Sequence, residues 1–155
     1  MVIASNNCIE RKWILMVQII LASHGNLAKG MKDTLNIIIG DVSMVEAFSS
    51  YRDENLNIRD AVEVIVKEKY TKADIFILTD ILGGSVNTEM MSLIKEYPKI
   101  HVLSGMNLPV VISLATQTDK ISEDLLQEII QESQQGIIDC NKLLNECKNI
   151  KEEEL

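Results

Sequence analysis

Residues 73–85 read ADIFILTDILGGS, and this stretch decides the fold. Its first part, Ala73–Thr79, is a short apolar run rich in β-branched side chains, which predicts a buried strand. Asp80 and the turn residues Gly83–Ser85 follow directly, and a helical pattern then continues until Pro98 ends it. A strand that passes through a glycine turn into a helix is half of a crossover unit, so the stretch predicts an α/β protein.

The same order of strand and helix repeats on both sides of this stretch. Short apolar runs predict three further strands, at Val17–Ala22, Met44–Phe48 and Ile100–Leu103. Apolar spacings of three and four predict the other helices over 26–39, from Ile58 to Val66, up to Leu114 and from Ser122 onward. This alternation predicts a doubly wound, mainly parallel sheet with helices on both faces.

Length and charge narrow the class of protein. The chain has 155 residues and a net charge of −8. One domain is expected over residues 16–148, between a disordered N-terminal extension, 1–15, and a charged tail, 149–155. The negative charge argues against nucleic-acid binding, because phosphate backbones require a basic surface. It favours a partner protein that carries a basic patch.

The cysteines and histidines give no sign of a metal centre. Three cysteines and two histidines stand in no metal-ligand spacing, so no metal and no cofactor are expected. The cysteines are interpreted as reduced thiols, as in the cytoplasm. The longest apolar run, Trp13–Ala22, is too short to cross a membrane. A cytoplasmic location is therefore expected.

Polar residues follow three of the predicted strands. Ser23 and His24 come after the first, Asp80 and Gly83–Ser85 after the third, and Asn107 after the fourth. Ligands of open α/β sheets bind beyond these carboxyl ends. A histidine there can act as nucleophile with Asp80 fixing its tautomer, and a glycine turn that opens a helix suits an anion. This set fits phosphoryl transfer through phosphohistidine, although the residues alone leave a structural histidine and a plain turn open.

Three motifs are more specific: IILASHG at 19–25, TDILGGSVN at 79–87 and GMNLP at 105–109. In this order they resemble the IIA domains of the mannose-type bacterial phosphotransferase system, and the similarity extends over residues 16–145. Val86 stands where the family usually has proline.

The resemblance implies a phosphocarrier. His24 would take a phosphoryl group from the phosphocarrier protein HPr and give it to a IIB domain, while Asp80 orients the His24 ring. The residues expected to hold or border the phosphoryl group are Ser23, Gly83, Gly84, Ser85 and Asn107. Contact with the membrane would be indirect, through the IIC/IID transporter.

The resemblance also implies a homodimer. Its sheet would have four parallel strands and an antiparallel C-terminal strand that is exchanged between the two subunits. Gly136–Cys140 is the candidate for that strand, although periodicity alone predicts a helix there.

Three other functions compete with this one. The phosphocarrier subunit of dihydroxyacetone kinase shares the fold, but the GGS and NLP segments favour the sugar system. A regulatory module could keep the fold without transferring anything, and an intact His24 and Asp80 argue against it. A hydrolase using His24 as its base lacks a nucleophile elbow.

Overall fold

A computed structural model describes residues 17–50 and 57–153, so the predicted extension, 1–15, lies outside the described residues. The strands are β1 (Val17–His24), β2 (Val45–Ser50), β3 (Asp74–Thr79) and β4 (His101–Ser104). The helices are α1 (Leu27–Ile39), α2 (Ile58–Lys69), α3 (Ser85–Ser92), α4 (Leu108–Ala115), α5 (Glu123–Gln134) and α6 (Cys140–Glu153). The four strands predicted from the apolar runs and the helices that follow them are therefore present, and α3 continues as a 3₁₀ turn, Leu93–Lys95.

The four strands form one parallel sheet in the order β2-β1-β3-β4. The chain leaves β1 for β2 on one side and later returns to β3 on the other side. In a doubly wound sheet, the point where the strand order reverses opens a crevice at the carboxyl ends. Here that crevice lies between the ends of β1 and β3.

Helices cover both faces of the sheet, which confirms the predicted architecture. Along β1, Ile19 and Leu21 pack into the core under α1, α4 and α5, whereas Ile20 and Ala22 pack under α2 and α3. Successive strand residues point to opposite faces, so each face receives its own apolar set. Every residue of β1 except His24 is buried, so His24 is the position at which the strand reaches solvent.

The C-terminal segment does not form the expected antiparallel strand. Gly136 lies in a turn, Ile137–Asp139 are irregular and exposed, and Cys140 begins α6. The Asp139 carboxylate accepts from the N–H groups of Asn141 and Lys142, which caps the first turn of α6. A strand is held by a neighbouring strand, and the outer edge of β4 has no such neighbour among the described residues. The local cap therefore favours a helix in the single chain.

Gly30 offers a test of the helical assignment of α1. It lies inside the helix at the end of its first turn, it is exposed, and no heavy atom lies within 4 Å of where a Cβ would stand. We expect Gly30→Ala to stabilise the fold by about 1 kcal/mol, because alanine loses less backbone entropy in a helix. Thermal unfolding should show a Tm higher by about 2–4 °C. Gly40→Ala is the matched control and should destabilise, since Gly40 ends α1 at a φ of +82°. An unchanged or lower Tm for Gly30→Ala would contradict the assignment.

Candidate active site

The crevice between β1 and β3 brings together two residues that are 56 positions apart in the chain. His24 is the last residue of β1, and Asp80 follows the last residue of β3. Because neighbouring parallel strands end at the same edge of the sheet, both side chains reach the same place.

Asp80 holds the His24 ring in one orientation. His24 Nδ1 lies 2.7 Å from Asp80 Oδ2, and the same oxygen accepts from the His24 backbone N–H at 2.8 Å. The other carboxylate oxygen, Oδ1, accepts from the N–H of Ile81 at 2.9 Å. A carboxylate can only accept, so the proton of the neutral ring lies on Nδ1 and Nε2 carries the lone pair.

The same hydrogen bonds keep Asp80 ionised. Partial burial alone would raise the pKa of Asp80, but the hydrogen bonds from the His24 N–H, the His24 ring and the Ile81 N–H together outweigh it, and the pKa is lowered. A carboxylate with a lowered folded-state pKa stabilises the fold above its unfolded-state pKa. That contribution is lost only as the pH falls through the lower folded-state value. Near neutrality Asp80 is therefore a fixed negative charge behind the ring.

Nε2 faces the start of α3. It lies 3.1 Å from Oγ of Ser85, the first residue of that helix, and the Ser85 hydroxyl donates to its lone pair. His24 is 38% exposed, so a partner can approach the ring from solvent. The positive end of the α3 dipole lies on this side, where it favours an anion. An exposed ring nitrogen with a lone pair, beside a helix N-terminus, is an arrangement that suits attack on an anionic group.

The two glycines before α3 shape the space around the ring. Gly83 has a φ of +74°, a conformation that favours glycine. A Cβ on Gly84 would lie 3.1 Å from His24 Cε1 and 2.9 Å from Ile81 Cγ2. Their N–H groups are already engaged, that of Gly83 by Asn87 Oδ1 and that of Gly84 by the carbonyl of Ile81. The observed role of these glycines is to let the loop pass close to His24.

Two other predicted site residues use their side chains elsewhere. Ser23 is fully buried, and its Oγ accepts from the N–H of Ala28 and so caps α1. The side-chain oxygen of Asn107 accepts from the N–H of Val110 and caps α4, while its Nδ2 donates to the carbonyl of Ser133 in α5. Both residues support the loops beside the site, and neither turns these groups toward His24.

Asn87 is a residue to which the sequence patterns assigned no role. It lies on the buried face of α3 together with Val86 and Met90, and its Oδ1 accepts from the N–H of Gly83. The available signal was a polar residue on the buried face of a helix, four positions after a turn glycine.

Neither a metal cluster nor a membrane-spanning helix is found in the part of the chain that the structure describes. No group of three or more histidine, cysteine, aspartate or glutamate residues there could hold a metal ion. Within the same ranges, every helix is too short or too polar to cross a bilayer.

The family model described as the PTS system fructose IIA component, EIIA-man, matches residues 18–131. The chain belongs to this family. Among its EIIA relatives, the sorbose-specific EIIA component of Klebsiella pneumoniae is 31% identical over 117 residues, covering 75% of this chain and 85% of that protein. The fructose-specific EIIA component of Bacillus subtilis (strain 168) is 23% identical over 135 residues, covering 86% and 92%.

A solved EIIA structure has the same architecture. The phosphotransferase system component EIIA from Streptococcus agalactiae superposes with a TM-score of 0.64 at 28% identity. The match covers 82% of this chain and 99% of that one. EIIA components are phosphotransferases of sugar uptake that work with HPr and IIB partners in general, and this chain is an EIIA component of the mannose, fructose and sorbose family.

Proposed function

We propose that His24 accepts a phosphoryl group from phospho-HPr on Nε2 and passes it to a IIB domain. The observation that carries the proposal is the 2.7 Å contact between His24 Nδ1 and Asp80 Oδ2. It leaves the nucleophilic lone pair on the nitrogen that faces the start of α3.

The transfer needs no base, because Nε2 already carries a lone pair. As the lone pair attacks phosphorus, a bond forms between Nε2 and phosphorus, and the bond from phosphorus to the donor nitrogen breaks. The imidazole gains positive charge, which the fixed charge of Asp80 stabilises. The Ser85 hydroxyl and the positive end of α3 then stabilise the phosphoryl oxygens. Transfer to IIB is the reverse step with a different acceptor.

The surface beside His24 supports a protein donor. Ile81 and Leu82 lie between Asp80 and Gly83, and their side chains are 60% and 76% exposed. Adjacent exposed apolar residues next to a reactive group mark a contact surface for another protein. The chain's net charge of −8 also favours a partner with a basic patch.

A homodimer in the cytoplasm completes the proposal, with the IIC/IID transporter reached only through IIB. Ile137 is 91% exposed and Ile138 is 59% exposed, just before α6. The outer edge of β4 is unpaired within the described ranges. A second subunit that packs on this side of the molecule would cover both isoleucines and the unpaired edge.

The function can be tested by reconstitution. The full chain is incubated with phosphoenolpyruvate, enzyme I and HPr, and a mannose-family IIB domain is added afterwards. We expect an acid-labile phosphate on the chain that is lost when IIB is added. An unlabelled wild-type chain would overturn the proposal. Label that stays on the chain would overturn the transfer step and favour the regulatory module.

Gly84→Ala is expected to slow phosphoryl acceptance, because the added Cβ would press on the His24 ring and on Ile81. A loop shift of about 1 Å beside a reacting atom can cost up to 100-fold in rate, so we expect a loss of about 10- to 100-fold in rapid-quench labelling. Gly30→Ala is the control, since it adds the same methyl group in open space. An unchanged labelling rate for Gly84→Ala would contradict the close approach of loop and ring.

A further inference from the structure

A buried chain of hydrogen bonds joins β4 to the loop that faces His24. The Thr79 hydroxyl donates to the Leu103 carbonyl at 3.2 Å, and its oxygen accepts from Asn87 Nδ2 at 2.9 Å. Asn87 Oδ1 in turn accepts from the N–H of Gly83 at 3.0 Å. Thr79 is fully buried and Asn87 is 1% exposed, so bulk water competes little for these groups.

These three hydrogen bonds allow only one arrangement of donors and acceptors. The Leu103 carbonyl can only accept, so the Thr79 hydroxyl proton points to it, and the Thr79 oxygen accepts from Asn87. The Gly83 N–H can only donate, so it must meet the oxygen of the Asn87 amide and not its nitrogen. The groups at the two ends, the Leu103 carbonyl and the Gly83 N–H, belong to the backbone. They therefore fix the orientation of the Asn87 side-chain amide.

The hydrogen bonds end at Gly83, in the loop that borders the His24 ring. Gly83 lies between Asp80, which orients the ring, and Ser85, which meets Nε2. The loop side chains of Ile81 and Leu82 are largely exposed, so they give the loop little support from the core. The Asn87 bond to Gly83 is a buried contact that fixes how closely the loop approaches the ring.

We propose that Asn87, held by Thr79, is a positioning residue that sets the distance between the Gly83–Ser85 loop and His24 Nε2. The inference rests on the proposed phosphoryl transfer. Asn87 acts through Gly83 and does not touch the reacting atoms. Asp80 keeps its own three hydrogen bonds without Asn87, so losing Asn87 should disturb the loop and leave the ring tautomer unchanged.

Asn87→Ala and Val66→Ala separate positioning from general destabilisation. Val66 is fully buried in α2, in the apolar core that also packs against α3, so its truncation weakens that core without removing a hydrogen bond of the loop. We expect Asn87→Ala to lower the limiting rate at saturating phospho-HPr by about 10- to 100-fold, with little change in the half-saturating concentration. Nitrogen NMR of the His24 ring should still show the Nδ1–H tautomer. Val66→Ala should keep the wild-type limiting rate.

A second pair keeps the test decisive if Asn87→Ala fails to fold. Thr79→Val removes the hydroxyl at constant shape, and Thr79→Ser retains it. We expect Thr79→Val to slow the limiting rate and Thr79→Ser to stay near wild type. Equal rates for Thr79→Val and Thr79→Ser, or an Asn87→Ala rate equal to that of Val66→Ala, would overturn the inference. A wild-type chain that takes no label would instead overturn the proposed function.

Discussion

His24→Ala is expected to abolish phosphoryl acceptance, with no label above background after incubation with phosphoenolpyruvate, enzyme I and HPr. The substitution removes the nitrogen that forms the bond to phosphorus, and no other described side chain takes its place beside Asp80. The change should cost the fold no more than about 1–2 kcal/mol, because His24 is partly exposed and Asp80 keeps two backbone N–H donors. Circular dichroism and urea unfolding check that the fold is retained.

The second histidine is the control for this experiment. His101 is the first residue of β4, at the edge of the sheet opposite the site, and its ring stacks on Phe76 at 4.9 Å. His101→Gln should therefore label like the wild type. Undiminished label on a folded His24→Ala chain would show that the acceptor is another residue.

Asp80→Asn is expected to lower the transfer rate by about 100- to 10,000-fold while the protein stays folded. The carboxylate receives three N–H groups through two oxygens, and an amide has only one oxygen. If the amide nitrogen replaces Oδ2, the ring must move its proton to Nε2 and loses the nucleophilic lone pair. If it replaces Oδ1, the tautomer survives but the negative charge that stabilises the developing imidazolium is gone.

Rapid-quench labelling gives the rate, and nitrogen NMR of the ring distinguishes these two outcomes. Asp33→Asn is the matched control, because Asp33 is exposed on α1 and its replacement removes the same negative charge. A loss shared equally by both variants would indicate weaker attraction of HPr. A wild-type rate for Asp80→Asn would contradict the orienting role.

The sequence predicted the pairing of His24 with Asp80 only in part. Strand ends are visible in an apolar pattern, so both residues could be placed at the carboxyl edge of the sheet. The order β2-β1-β3-β4 makes β1 and β3 neighbours. This order follows from the three-dimensional packing of the helices, and local periodicity does not predict it. The strand-end positions alone indicated that Asp80 could fix the His24 tautomer, and the resemblance to a family made this pairing specific.

Side-chain direction was harder to predict than position. Ser23 and His24 are adjacent, yet Ser23 is buried against α1 and His24 emerges, because successive strand residues point to opposite faces. Asn107 looked like a site residue from its motif, but its amide caps α4 and reaches α5. Asn87 was missed because its partners Thr79 and Gly83 meet it only after β3 and α3 have packed.

The C-terminal segment shows the limit of both approaches. Periodicity predicted a helix and the resemblance implied a strand, and the described chain has exposed irregular residues followed by α6. A strand at residues 136–140 needs hydrogen bonds from another strand, so a single chain carries no local signal for it.

The site of phosphorylation on the ring tests the central claim most directly. The chain is phosphorylated through phosphoenolpyruvate, enzyme I and HPr with nitrogen-15 in its histidines, and the imidazole spectrum is recorded at alkaline pH. We predict a phosphate on Nε2 of His24, with the proton retained on Nδ1 toward Asp80. Phosphate on Nδ1 of His24, on His101 or on a residue that is not histidine would contradict it.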